Sequence, residues 1–393
     1  MSSFSELGAS APVSESLARR DIVSTFEIQR LVFEDAIEGR DILAKSRTGS
    51  GKTLAFCVPM IERLEPSARR PAAVVLVPTR ELAVQVTEEM RDIAAARNLR
   101  VASVYGGVSL PQQAAHASRA HVLVATPGRL FDLISRRMVS VSNVRILVLD
   151  EADRMLDMGF QPQVDRIVSR LPAERQTMFF SATLDGAVGV LARSYTKSAA
   201  YHEVKDERPV IQKAEHRFVS VTEAAKLDKL VAVLKEDRGL ALVFVRTKRG
   251  ADRLQIRLKA KGVRALSLHG DMSQAARQRA LQKFAASRVT VMVGTDVAAR
   301  GLDVDGISHV INYDPPGDHK DYVHRVGRTA RAGRSGTGVT FVTPPQKQEI
   351  SAIVRQLKLG DEFRSSGLEL APARTVYSSR GSRSMMRPRR RRP

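Results

Sequence analysis

The sequence has no tryptophan, a single cysteine and only 5% aromatic residues. Each shortage excludes something. With Cys57 alone, no intramolecular disulfide and no cysteine-based zinc site can form, and a reducing compartment fits better than secretion. Residues Met1 to Ser10 carry neither a basic start nor an apolar stretch, and apolar runs such as Leu240 to Val245 fall far short of a membrane span. A soluble, cytoplasmic protein is expected. Scarce aromatics argue against holding single strands mainly by stacking bases. Acidic residues are also in deficit: 42 Asp and Glu face 63 Lys and Arg, a net charge of +21. That excess favours a polyanionic partner, nucleic acid or an anionic membrane surface, and a grip on phosphates.

What is present is globular. The 393 residues, 43% hydrophobic and 27% charged, allow two or three domains. Short β-branched runs alternate with helical patterns from about residue 40 to 357, the rhythm of βα units around a parallel sheet. Strands are expected at Ala72 to Val77, Val101 to Tyr105, His121 to Ala125, Val144 to Leu149 and Thr177 to Phe180. The rhythm runs twice: Val75 to Thr79 matches Val243 to Thr247 at a shift of 168, and Val122 to Thr126 matches Val291 to Thr295 at 169. Duplication predicts two similar sheets, joined through the polar stretch Glu203 to Glu215. The expected divisions are residues 1–207, 208–363 and a disordered basic tail, 364–393, whose nine arginines and one glutamate leave +13 on the rest.

Thr48-Gly49-Ser50-Gly51-Lys52-Thr53 follows the apolar strand Ile42 to Ala44 and opens a helical run, the setting of a phosphate-binding loop. Glycines let backbone N–H groups face phosphates, Lys52 neutralises them, and the Thr53 hydroxyl can ligate Mg²⁺. No second Gly-Lys-Thr or Gly-Lys-Ser occurs. Asp150-Glu151-Ala152-Asp153 ends the apolar run Ile146 to Leu149, where strand ends line the ligand crevice of an α/β sheet. There Asp150 can join the Mg²⁺ shell, and Glu151 can orient or deprotonate the attacking water. Cys57 reads as a small buried apolar residue.

These residues, with others in fixed order, resemble the DEAD-box RNA helicases, superfamily 2 ATPases with two tandem RecA-like parallel-sheet domains. The resemblance covers residues 22 to about 345: Ser46 to Thr53, Pro78-Thr79-Arg80-Glu81-Leu82, Gly106-Gly107, Thr126-Pro127-Gly128-Arg129, Asp150 to Asp153 and Ser181-Ala182-Thr183. In the second half come Val243 to Thr247, Gln274 with Arg277, Thr295 to Asp303, and His324 to Arg331. It implies an ATP-dependent, Mg²⁺-using RNA helicase that opens short duplexes, or alternatively an RNA clamp, acting as a monomer with RNA as partner and no membrane. Lys52, Asp150, Glu151, Arg328 and Arg331 would be catalytic, with Thr53 and Asp150 on the metal. Gln29, Ser46, Gly49, Ser50, Gly51, Lys52, Thr53 and Asp303 would hold the nucleotide. Arg80, Gly107, Thr126, Arg129, Arg277, Thr295 and Gly301 would hold RNA, and Ser181 with Thr183 would couple the two events. The adenine-reading stretch departs from the family pattern, its aromatic displaced to Phe26, which can be core or ligand; His269 is a loop residue or an element of the RNA face. Ala330 and Ser46 replace the family's usual small residues in two motifs.

Overall fold

The computed structural model describes residues 2–46, 49–204, 214–236, 239–299, 304, 306–329 and 336–372. Strands β1 (Ile42–Lys45), β2 (Ala73–Leu76), β3 (Val101–Val104), β4 (Val122–Ala125), β5 (Ile146–Leu149), β6 (Gln176–Ser181) and β7 (Ala200–Glu203) form the first sheet. Its order is β3-β4-β2-β5-β6-β1-β7. Strands β8 (Ala214–Ser220), β9 (Leu240–Phe244), β10 (Ala265–Leu268), β11 (Val291–Gly294), β12 (Ile307–Asn312) and β13 (Gly336–Val342) form the second, in the order β10-β11-β9-β12-β13-β8. Every pairing is parallel. With β8 in the place of β1 and β9 in the place of β2, the two orders coincide, and β7 is an extra edge strand. The two shifts read from the sequence are therefore a repeated fold.

Helices cover both faces, so the central strands are apolar without alternation. Ala73 and Val75 of β2 enter one core while Val74 and Leu76 enter the other. In β9 Ala241 and Val243 part in the same way from Leu242 and Phe244. Each buried valine or leucine contributes about 1.5–3 kcal/mol. The repeat extends to helix starts. Thr79 Oγ1 accepts the Leu82 N–H at 3.3 Å, and Thr247, 168 residues on, accepts the Gly250 N–H at 3.0 Å, each satisfying a donor that a first turn leaves open.

Two expectations are corrected. The expected linker, Glu203 to Glu215, overruns two strands: β7 ends at Glu203 and β8 begins at Ala214, while residues 205–213 lie outside the described residues. β8 was hidden by its charges, for Glu215 and Arg217 face solvent between buried Ala214, His216 and Phe218. The chain also stays packed past Arg364. Leu368 is buried, Ser366 Oγ accepts the Phe218 N–H at 3.1 Å, and the Ala371 N–H reaches Ser351 Oγ at 3.0 Å. The tail from residue 373 lies outside the described residues. Among the described residues no helix is long and apolar enough to cross a membrane.

Candidate active site and nucleic-acid interface

Parallel strands aim their carboxyl ends one way, which brings Ser46 after β1, Asp150 after β5 and Ser181 at the end of β6 together. Between Ser46 and the helix Lys52–Arg63, Gly49 and Gly51 hold φ of +81° and +84°. A Cβ on Gly51 would lie 2.5 Å from Gln29 Nε2 and 2.6 Å from the Phe26 ring, so only glycine lets the adjoining segment close on the loop. Lys52 is buried and its Nζ donates to the Ser46 carbonyl at 3.0 Å; Ser50 Oγ donates to Ser46 Oγ at 3.1 Å. Thr53 follows, half-buried, on the first turn of that helix.

Gln29 is 1% exposed and braces the loop: its Nε2 donates to the Gly51 carbonyl at 2.9 Å and its Oε1 accepts the Phe26 N–H at 2.8 Å. These two bonds use one of its two amide hydrogens and one of the two lone pairs on Oε1. Phe26 is 60% exposed beside Gly51, which decides against the core alternative.

The two neighbouring acids are driven apart. Burial pushes the Asp150 carboxyl up to about 7; the Glu151 and Asp153 charges add to that, and Lys52 with the Glu151 N–H opposes it. Burial also pushes Glu151 upward, but the charges of Arg154, Lys52 and Arg328 outweigh it and hold the carboxyl below its ordinary range. Glu151 sits at φ +51°, turned toward Arg154, with which it forms a buried ion pair. Arg328 is buried on the second domain, so its influence on Glu151 crosses the domain boundary.

Asp150 and Thr53 offer hard oxygen donors of the kind Mg²⁺ takes, and the Asp150 carboxyl is buried beside Lys52. No group of three or more His, Cys, Asp or Glu among the described residues could hold a metal by itself. The residues fit an ion shared with substrate phosphates. Asp153 Oδ2 accepts from the Ala182 N–H at 3.2 Å and the Thr183 hydroxyl at 3.4 Å, and Ser181 Oγ accepts the Thr183 N–H at 3.3 Å. Because the Ser181 carbonyl accepts the Ser46 N–H at 2.9 Å, Ser181 and Thr183 join the phosphate loop to the acids.

A cavity of about 300 Å³ lies between the domains, lined by Arg80, Gly106, Thr126, Arg129 and Arg277 among others. Gly107, φ +92°, lets Arg80 pack close, since a Cβ there would lie 2.6 Å from Arg80 Nη1. Arg129 Nη1 donates to the Val108 carbonyl and Gln113 Oε1, both at 2.9 Å. Thr295 is buried at the end of β11, and Ala298, three residues on, reaches the same cavity. Arg277, expected among the RNA contacts, lines this cavity, is 5% exposed and is held on both sides. Its Nε donates to Glu81 Oε1 of the first domain at 2.7 Å and its Nη1 to the His269 carbonyl at 2.9 Å. The His269 ring is buried, its Nε2 paired with Asp252 at 2.9 Å. Gly301, Asp303, Arg331 and Ala330 lie outside the described residues.

Sequence reasoning missed Arg154 and named Asp153, Glu81 and Arg325 only within their motifs, with no individual partner. Arg154 is 2% exposed and bound to Glu151, and Asp153 ties the acids to Ala182 and Thr183. Glu81 reaches Arg277, while Arg325 grips Asp296 through two bonds of 2.6 and 2.7 Å, pinning the helix His319–Val326 to the turn after β11. The Glu81–Arg277 and Asp296–Arg325 pairs join separate elements and leave no spacing in a sequence, whereas Glu151 and Arg154 are three residues apart.

Two parallel-sheet domains of one topology, a phosphate loop on the first and a buried arginine from the second acting on its acid, define a tandem RecA-like α/β protein. The profile described as DEAD/DEAH box helicase matches residues 26–189, and that of the helicase conserved C-terminal domain matches residues 224–333. The DEAD-box ATP-dependent RNA helicase CshA of Geobacillus kaustophilus is 40% identical over 360 residues, 91% of this chain and 77% of that relative. The protein of that name from Bacillus subtilis is 38% identical over 90% of this chain and 72% of its own. The chain belongs to the DEAD/DEAH box helicase family and is an ATP-hydrolysing enzyme of it. Among solved structures, S. cerevisiae Dbp5 bound to RNA and ADP BeF3 superposes with a TM-score of 0.81 at 31% identity, covering 90% of this chain and 93% of that one. A variant of Dbp5 bound to Gle1 and IP6 gives 0.71 at 31% identity, covering 91% and 92%.

Proposed function

We propose that the chain is a cytoplasmic, ATP-dependent RNA helicase that holds single-stranded RNA across both domains and opens short duplexes as ATP is hydrolysed. The observation that carries this reading is the glycine loop with buried Lys52 set beside the buried acids Asp150 and Glu151 on the first domain, joined to the second through the buried Glu81–Arg277 pair. Both halves of the site come from one chain, so a monomer suffices.

Lys52 and the backbone of Gly49 to Gly51 bind the phosphates, Gln29 reads adenine with Phe26 stacked beside it, and Asp303 meets the ribose. Thr53 and Asp150 would hold Mg²⁺, which supplies charge neutralisation to the phosphates when bound. Glu151, kept ionised by Arg154, Lys52 and Arg328, takes the proton of the attacking water. Arg328 and Arg331 offset charge on the transferring phosphoryl group only with the domains closed. Arg80, Gly107, Thr126, Arg129, Thr295 and Gly301 meet the RNA backbone, so binding is largely blind to sequence. Arg277 serves RNA by holding the domains together through Glu81. That buried cross-domain pair also favours a second reading, an RNA clamp with slow turnover. Either way Ser181 and Thr183 carry the state of the nucleotide to the RNA side.

Glu151→Gln is expected to bind ATP nearly normally while hydrolysis falls by about 10²- to 10⁴-fold. ATP hydrolysis with RNA, with DNA and without polymer, measured beside duplex displacement, tests the whole reading. Normal hydrolysis by Glu151→Gln sinks the assigned base, and RNA-stimulated hydrolysis without displacement favours the clamp.

A further inference from the structure

The outer edge of the first sheet, five strands from β1, carries a groove of about 520 Å³ that the reaction does not use. Its floor is the open edge of β3, where Val101, Ala102 and Ser103 are half-buried. One wall is the helix Arg80–Ala96, which packs into one core of the domain. The other is the helix Leu110–Ala117 and the turn after it, which pack into the opposite core. Both walls and the strand entry present basic side chains: Arg91 from the first helix, Arg100 at the start of β3, and His116 with Arg119 from the second. All four are exposed, and none of the three arginines has an ion pair among the described residues. No acidic side chain lines the groove. Arg70 adds to the cluster, its Nη1 donating to the Arg119 carbonyl at 3.4 Å. Burial, with the Arg70 and Arg100 charges beside it, holds the neighbouring His121 imidazole below its ordinary range despite the Pro66 carbonyl.

The groove is continuous with the face assigned to RNA. β3 runs from its floor straight to Gly106 and Gly107, which pack on Arg80 at the cavity between the domains. Arg100, at the entry to β3, lies six residues from Gly106, at most roughly 20 Å of extended chain. A strand leaving the cavity past Gly107 and following β3 therefore reaches guanidinium groups within about that distance. We propose that this groove binds the sugar-phosphate backbone of RNA flanking the segment held between the domains. The inference rests on the reading of the chain as an RNA helicase. It adds a contact that lengthens the RNA footprint along the edge of the first sheet and leaves the chemistry untouched.

The test is equilibrium binding of the full chain and of its R91E/R100E/R119E variant to oligouridylates of about 6 and about 25 nucleotides, lengths spanning a single-strand site and its flank. The longer RNA should bind the variant about tenfold more weakly, with a salt slope smaller by about 2, at about 0.7 per lost phosphate contact. The shorter RNA and the ATP hydrolysis it stimulates should be unchanged. A milder R91Q/R100Q/R119Q variant should show the same length dependence with a smaller loss, which keeps the test independent of any folding defect from charge reversal. Unchanged affinity for both lengths, or equal loss for both, overturns the proposal. So does retention of polyglutamate by the wild type and not the variant with RNA binding unaffected, which would make the groove a peptide site. Failure of the underlying reading looks different: the wild-type chain would then bind neither RNA.

Discussion

The two domains share one strand order and one pair of threonine caps, yet the same two positions carry opposite fates in them. In the first, Lys52 opens the helix after β1 and Asp150 follows β5, with a glycine loop between lysine and strand and both side chains turned to the nucleotide site. In the second, Lys226 opens the helix that comes after β8 and Asp314 follows β12, the matching strands of the repeat. Here the pair is closed: Lys226 Nζ meets Asp314 Oδ1 at 3.0 Å and lies 4.5 Å from the centre of the Tyr313 ring, while Asp314 also accepts the Arg246 N–H at 2.8 Å. One scaffold thus supports either a phosphate site or a structural ion pair, and the glycines decide which. In the proposed reaction the second domain, without a glycine loop, contributes Arg328 instead. On that reading chemistry is divided between copies of one fold, and neither copy is complete.

The largest effect expected from this division is at Arg328. An arginine reaching a transferring phosphoryl group is worth roughly 10³ to 10⁵ in rate, so Arg328→Ala should nearly abolish turnover while ATP still binds the first domain. Single-turnover hydrolysis with separately measured ATP affinity checks this, and turnover within a few fold of wild type would break the comparison. Next comes the lysine pair. Lys226→Met should cost about 3 kcal/mol of second-domain stability, because it strands a partner of a largely buried ion pair. Lys52→Met should cost little stability and much ATP affinity, and denaturant melts beside nucleotide titrations separate the two. Equal behaviour of the two variants would erase the distinction.

The smallest effect concerns pH. His121 enters β4 where the repeat places Thr290 at the entry to β11, and both carbonyls accept from the neighbouring strand, at Ala73 and Ala241. Only the first domain therefore has a titratable ring there. Burial and the Arg70 and Arg100 charges put its folded value below the ordinary 6.5, so folding favours the neutral form. That contribution is complete above pH 6.5 and is lost as pH falls through the folded value. Acidification from pH 7.5 to about 5 should lower the melting temperature of the wild type slightly more than that of His121→Gln. An identical pH response would show that the ring contributes nothing.

How far the sequence reveals this depends on whether a feature is local. The strands of the first sheet other than β7, the phosphate loop and the repeat shift are legible because each lies in one short run with its own period, whereas β7 ends in the polar stretch taken for linker. β8 carried a readable period of two, but its charges and the nearby proline made it look like linker. Arg277 reads as an RNA contact from its motif and in the fold pairs with Glu81, 196 residues away, a relation no local pattern encodes. Gln29 likewise reads as a nucleotide contact, yet most of its amide braces Gly51 and Phe26. The closed Lys226–Asp314 pair became visible only once the strand orders were superposed.

Cutting the chain between its two sheets tests the central claim most directly. Residues 1–207 and 208–393, made separately and shown by thermal melts to fold, should each fail to hydrolyse ATP appreciably with RNA present, although the first should still bind the nucleotide. RNA-stimulated hydrolysis by the first piece alone, at the rate of the whole chain, would show that the phosphate loop needs no arginine from its neighbour and would contradict the shared site.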